Sequence, residues 1–246
     1  MKHAEKAVAQ LDSHAHIWET KPVLRTVYLD YYQRIVNLLT PGRVLEIGAG
    51  TGHLRSKIPG AILTDIQAAP WLDVTADAQS LPFQSETFDN IAMLDVLHHI
   101  ENPNFFFSEA RRILKPGGRM IMIEPAITLV SKLFYHYLHP EPVNMQQDPL
   151  ANVKADPNRK PYDANQAIPT LLFRRNKRKF ANKHPDLKVH LVENLSLFAY
   201  PLSGGYREWS LIPQFLVCPI LQLENYLMPL LGNTMAFRIL IMIERR

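Results

Sequence analysis

One cysteine, Cys218, is all this chain has, so no disulfide can form within it, as in a reducing compartment. Also missing is an unbroken apolar run of membrane-spanning length. The greasiest stretch, 211–231, contains Pro213, Pro219, Gln222, Glu224, Asn225 and Pro229. A spanning helix needs about 20 largely uninterrupted apolar residues. Near the start, Asp12, His14, His16 and Glu19 interrupt any basic-then-apolar pattern of the secretory kind, and the expected location is the cytoplasm. Neither charge sign dominates: the formal charge is +4 and the pI near 9.1, too little to argue for nucleic acid. Repeats and low-complexity tracts are absent as well. What remains is 246 residues, 47% of them apolar, which suits one domain with a large core.

That domain is organised around residues 44–52, V-L-E-I-G-A-G-T-G. Val44, Leu45 and Ile47 suit a short strand buried on both faces. Gly48, Gly50 and Gly52 then allow a tight turn that a ligand can approach closely. A helical piece over 53–57 would turn its free amides toward the same ligand. A dinucleotide fingerprint needs a third glycine at position 53, where His53 stands. Glu46 would repel a pyrophosphate and suits a ligand carrying an ammonium or sulfonium.

Helical spacing of apolar residues marks 1–40, and Pro41-Gly42 launches the strand. D-x-H-x-H at Asp12, His14 and His16 resembles the metal-binding opening of amidohydrolase barrels. Those need the pair on a strand and an eightfold βα pattern; a surface or lid segment is the alternative, and no metal is expected. Further strands are expected at 61–64, 72–75, 90–94 and 119–124, a helix at 105–114 and a turn at 115–118. Alternating strands and helices with short connections mean a parallel sheet covered on both faces. Asp65, at the tip of the second strand, can accept from ribose hydroxyls, or serve as a helix cap. Asp77 and Ala78, before Leu81-Pro82-Phe83, suit an adenine amine and ring.

Taken together, V-L-E-I-G-A-G-T-G, L-T-D, A-D-A-Q-S-L-P-F, F-D-N-I-A-M-L-D-V-L-H-H-I-E-N-P and A-R-R-I-L-K-P-G-G-R-M-I-M-I-E resemble class I S-adenosylmethionine-dependent methyltransferases of the small-molecule type 11 group. The resemblance covers about residues 40–125. It implies an α/β fold, a Rossmann-like doubly wound sheet of seven strands, the last antiparallel and expected at 237–244, with a helical cap. It implies S-adenosyl-L-methionine as cofactor. Gly48, Ala49, Gly50 and Gly52 would cradle its methionine part, Glu46 would stand near the ammonium, Asp65 and Ile66 at the ribose, Asp77 and Ala78 at the adenine, and Leu94 would contribute its carbonyl. On this reading 1–40 is a helical lid, 41–125 the cofactor-binding core, 126–235 a substrate cap and 236–246 the last strand.

Methyl transfer is an in-line displacement, and alignment of the reacting groups can contribute up to about 7–11 kcal/mol. A general base assists when the acceptor is a hydroxyl. Candidates are Asp95 and His98, at i and i+3 on an expected helix, with His99 pointing elsewhere; histidines that merely cap or pack that helix are the alternative. D-x-x-H-H also resembles the E-x-x-E-H segment of ubiquinone-pathway O-methyltransferases, but His98 replaces its second acid. Residues 166–183 carry a basic amphipathic pattern that could rest on an anionic membrane, bind an acidic substrate or face solvent. The run 211–231 is expected to wall the active site and to favour a hydrophobic or lipid-like small-molecule acceptor. The N/D-P-P-Y stretch of amino-methylating nucleic-acid enzymes and paired zinc-type cysteines are absent from the sequence, so no nucleic-acid partner is expected.

Overall fold

In the computed structural model, residues 2–151, 156, 159–160 and 162–246 are described. Helices α1 (Lys2–Thr20) and α2 (Pro22–Val36) precede β1 (Val44–Ile47). The glycine loop and a single 3₁₀ turn (His53–Ser56) lead to β2 (Ile62–Asp65), β3 (Val74–Thr75) and β4 (Phe88–Leu94). A second 3₁₀ turn (Leu97–His99), α3 (Pro103–Ile113), β5 (Leu114–Pro125) and α4 (Leu129–Leu138) follow. After a long loop come α5 (Ile168–Thr170), a π-helical turn (Leu171–Arg175), α6 (Lys177–Lys183), β6 (Leu187–Leu195), α7 (Ala199–Ser203), α8 (Gln214–Met235) and β7 (Arg238–Arg245).

The strands form one seven-stranded sheet in the order β3-β2-β1-β4-β5-β7-β6. The pairs among β1 to β5 are parallel, and β7 runs antiparallel to both its neighbours. This is the expected doubly wound, Rossmann-like α/β architecture. Both faces are buried, as the near-continuous apolar strands require. Ala92 and Leu94 on β4 pack with Val27 and Tyr31 of α2, while Ile91 and Met93 face Phe106 and Phe107 of α3. The expected turn at 115–118 lies inside β5 as a bulge: register shifts between Phe88↔Leu114 and Asn90↔Arg119. Lys115 there reaches Asp89 Oδ1 at 2.8 Å.

Several expectations need correction. The N-terminal region is two helices, broken at Lys21, whose ammonium donates to the carbonyls of Gly205 and Arg207 at 2.7 and 2.6 Å. Segment 126–235 is more than a cap, because it supplies the edge strand β6 and helices that cover the sheet. The basic stretch 166–183 keeps no apolar face for a membrane: Leu171, Leu172, Phe173 and Phe180 are buried, with Phe173 and Phe180 against Phe107. Its charges find local partners, Lys179 on Asp148 and Lys183 on the Leu150 carbonyl. Helix α8 runs unbroken for 22 residues through Pro219 and Pro229. Each proline frees the carbonyl four residues earlier, at Phe215 and Asn225, and both residues are exposed, so water can satisfy them.

Candidate functional site

A cavity of about 620 Å³ opens beyond the carboxyl ends of β1, β2 and β4, where ligands bind in doubly wound sheets. Gly48, Ala49, Gly50, Asp65, Ile66, Asp77, Ala78 and Leu94 line it, together with Asp95, His98 and His99. Residues separated by up to 51 positions therefore share one wall. Glu46 and Gly52 do not reach it.

The glycine loop is held from both sides. Asp65 accepts the Gly50 amide through Oδ2 and the Gln67 amide through Oδ1, each at 2.9 Å. Trp71, which the sequence reading passed over, donates its indole N–H to the Gly50 carbonyl at 2.8 Å. Gly50 has φ 50°, and a Cβ added there would meet nothing within 4 Å, because it would project into open space. A Cβ on Gly48 would lie 2.4 Å from Val96 Cγ2, so that glycine is needed for packing. A Cβ on Gly52, at φ 76°, would lie 2.9 Å from Trp71 Cδ1, so that glycine too is needed for packing. Asp77 accepts from the Gln79 amide at 2.8 Å and fixes the next turn.

Glu46 is 2% exposed behind the loop, and its Oε2 is buried with no partner. Burial, then the charge of Asp65, pushes its carboxyl well above the ordinary carboxylate range. The expected counter-charge on the cavity wall is thus a buried acid beneath the loop, which still lacks a donor.

Asp95 is not helical: its φ of 60° is left-handed, a sparsely populated conformation for a non-glycine residue. Its Oδ1 accepts from Arg238 at 2.6 Å and its Oδ2 from the Tyr28 hydroxyl at 3.0 Å. Arg238 lies 3.9 Å over the Tyr200 ring. Burial pushes the Asp95 carboxyl up against the opposing pull of Arg238. Asp95 is therefore engaged on both oxygens, and the i, i+3 argument does not apply. His98 instead sits between two acids. Its Nδ1 meets Glu124 Oε2 at 2.7 Å and its Nε2 lies 3.4 Å from Glu141 Oε2. Burial alone would lower its pKa, but the hydrogen bonds and charges of Glu124 and Glu141 outweigh it and raise it to about 10. Burial opposes ionisation of Glu141 too, and the His98 contact overcomes it, holding that carboxyl down to about 2.

His99 does not point elsewhere. It lines the cavity with its ring 4.1 Å from that of His98, and its Nε2 is 4.0 Å from Glu141 Oε1. Burial and the charge on His98 push it down to about 4, so it is neutral at pH 7. The Glu141 role was missed, although H-P-E-P at 139–142 fixes an acid between two prolines just past α4. Among the described residues, His98, His99 and Glu141 offer ligand atoms within 4.8 Å of one another, close enough to share a cation.

The remaining walls come from aromatic residues and from α1. Tyr28, Tyr200 and Tyr206 line the cavity, with Phe134, Leu138 and Trp209. His14 stacks on Tyr206 at 4.3 Å, and Trp18 stacks on His53 at 3.6 Å and 11°. That is the lid alternative for the D-x-H-x-H stretch, formed on a helix. The loop after α4 contributes Glu141, Arg159 and Tyr162; residues 152–155, 157, 158 and 161 of the expected 140–161 lid lie outside the described residues. No residue of 211–231 lines the cavity, so the expected walling by that run is replaced by α4 and segment 200–209.

Residues 45–122 match the family described as "Methyltransferase domain". A demethylmenaquinone methyltransferase of Tropheryma whipplei is 33% identical over 100 residues, 33% of this chain and 41% of that protein. A ubiquinone/menaquinone biosynthesis C-methyltransferase of Saccharophagus degradans is 32% identical over 121 residues, 39% of this chain and 49% of that protein. The chain thus spans about half the length of the curated relatives it matches. Over the full length of both chains, a Thermotoga maritima crystal structure titled as a SAM-dependent methyltransferase and possible histamine N-methyltransferase superposes with a TM-score of 0.59 at 19% identity, which shows the shared fold.

Proposed function

We propose that this chain is a class I S-adenosylmethionine-dependent methyltransferase that transfers a methyl group to a small hydrophobic acceptor held beside His99 and Glu141. One observation carries the reading: the glycine loop with Asp65 and Asp77, and the His98–His99–Glu141 cluster, line one cavity.

The residues fit the cofactor. Gly50 leaves room for close approach to the loop, the buried Glu46 Oε2 lacks a donor, and Asp65, Asp77 and Ala78 line the same cavity, where they would meet the ribose and the adenine. When bound, S-adenosylmethionine supplies an electrophilic methyl group on a sulfonium. The chain itself aligns and desolvates. Tyr28, Tyr200 and Tyr206 give the acceptor half rigid aromatic walls, and α1 covers the loop through Trp18. A base for an acidic acceptor proton is the neutral His99, not Glu141, whose carboxylate His98 holds down to about 2, nor His98, whose pKa near 10 keeps it an imidazolium. His98 is a positioning residue that holds Glu141 toward the cavity. Asp95 orients Arg238 and Tyr28 in the same way.

The relatives named for demethylmenaquinone and ubiquinone/menaquinone biosynthesis support a ring acceptor with an apolar tail. Calorimetry with S-adenosylmethionine tests the cofactor half. A methyl-release screen over quinols, phenols, amines and acidic small molecules tests the acceptor half. Tight cofactor binding without turnover on any acceptor would favour a catalytically silent binding protein with the same fold. No binding at millimolar cofactor would sink the reading.

A further inference from the structure

Helix α8 both buries and exposes apolar side chains, and its exposed polar residues, Gln222 and Asn233 among them, are uncharged. One stripe, Val217, Leu221, Glu224 and Gly232, is buried inward. On the opposite side Phe215, Pro219, Leu223, Tyr226 and Leu230 recur every three or four residues and face outward. Phe215, Tyr226 and Leu230 are 76%, 83% and 79% exposed. The helix is long and apolar enough to cross a membrane by length and composition, and its one charged residue, Glu224, is buried. Both ends are tied into the domain, by Ile212 in the core before it and by β7 behind it, so it lies along the fold and does not leave it. A soluble helix normally presents charge to water, and α8 presents none.

The face continues beyond α8. Helix α4 packs against it and exposes Leu129, Leu133, Tyr137 and Leu138. A run of exposed apolar side chains over two neighbouring helices marks an interaction surface. Its charges are complementary to an anionic partner. Lys132 is exposed on α4, Arg34 donates to Asn225 of α8 at 2.8 Å, and Arg207 donates to the Leu138 carbonyl at 2.9 Å. Of the acids there, Asp30 is paired with Arg34, and Glu224 of α8 is buried, accepting from the amides of Phe198 and Ala199. The face also reaches the cavity, because Leu138 is at once exposed and part of the cavity lining. A second copy seated there would cover that mouth, whereas a lipid surface would leave the cavity open to hydrocarbon.

We propose that the outward faces of α4 and α8 seat this protein on an anionic lipid surface, with the cavity mouth turned toward the bilayer. Amphipathic surfaces of this kind bind through buried apolar area together with attraction of basic side chains to anionic headgroups. The surface stands independently of the methyl-transfer reading, so cofactor binding is measured separately on every variant.

The test is flotation of the full chain with vesicles of phosphatidylcholine alone and of phosphatidylcholine with one-third phosphatidylglycerol. The expected result is binding to the anionic vesicles, reduced at least about tenfold in a Tyr226→Glu/Leu230→Glu variant, both sites being exposed and outside the core. Lys132→Ala should lower the preference for anionic over neutral vesicles by about fivefold. Unchanged melting temperature and unchanged S-adenosylmethionine affinity in these variants would show that the loss belongs to the surface. Three outcomes overturn the proposal: no flotation at millimolar lipid, flotation indifferent to Tyr226→Glu/Leu230→Glu, or a dimer by light scattering that the same variant dissolves while vesicles are ignored.

Discussion

His98 shows how much one buried side chain can hold. Glu124, fully buried, accepts from the amides of Val96 and Leu97 at 2.8 and 2.7 Å while its other oxygen meets His98. Removing His98 leaves two acids without their cation, and breaking a buried pair from one side costs about 3–5 kcal/mol. The pair also sets a pH dependence. The pKa of His98 is raised from 6.5 to about 10, so its contribution is complete below pH 6.5 and is lost as pH rises through 10. Glu141 is depressed from 4.5 to about 2, so its share is present above pH 4.5 and is lost as pH falls through 2. Thermal melts from pH 6.5 to 10 should show stability declining in the native protein and a flatter profile in His98→Asn. An equal slope in both would remove His98 from the account. The glycine loop gives a second residue-level contrast. Gly48→Ala must push against Val96 and should melt several degrees lower. Gly50→Ala meets no neighbour, so it should cost about 1 kcal/mol for its positive φ while weakening cofactor binding at least about tenfold. Melts and calorimetry on the two variants separate packing from binding.

Among the elements, α1 buries Leu11 and Ile17 and adds two aromatic contacts, Trp18 on His53 and His14 on Tyr206. Burial lowers the His53 pKa from 6.5 to about 4, so it is neutral in the fold and must be charged to titrate. The unfolded chain binds that proton first. Stability is therefore lost as pH falls from 6.5 toward 4, and the loss should appear first where α1 covers the loop. Amide hydrogen exchange in α1 should accelerate across that range, and His53→Phe, which keeps a ring under Trp18, should blunt the effect. Acid-independent exchange in the native protein would show that the stacking does not govern the lid. Helices α5 and α6 teach the opposite lesson about elements. Their basic residues invite a surface role, yet their apolar residues are spent in the core, while α8, with no exposed charge, is left facing outward.

For the whole molecule, the sheet, the lid and the post-α4 loop close around one cavity, so cofactor binding should be felt as global stability. At a ligand concentration near one hundred times Kd, linkage adds about 2.7 kcal/mol, which for a domain of this size raises Tm by about 5–10 °C. Differential scanning fluorimetry with S-adenosylmethionine and S-adenosylhomocysteine reads this directly, and no shift with either would contradict the site.

Short-range chemistry was legible without coordinates. Glycines at 48, 50 and 52, an acid closing β2 and another at position 77 need only local turns and strand ends to be recognised. The alternation of apolar runs with helix-like spacing then dictates a sheet covered on both faces, because such strands cannot face water. Long-range pairings decided the rest. That Asp95 belongs to Arg238, 143 residues on, that His98 is clamped by Glu124 and Glu141, and that 211–231 faces away from the cavity all depend on which surfaces meet once the chain has packed. Sequence spacing sets the face of an element. Only the tertiary structure sets what that face touches, and the partner it touches decides a side chain's charge and its use.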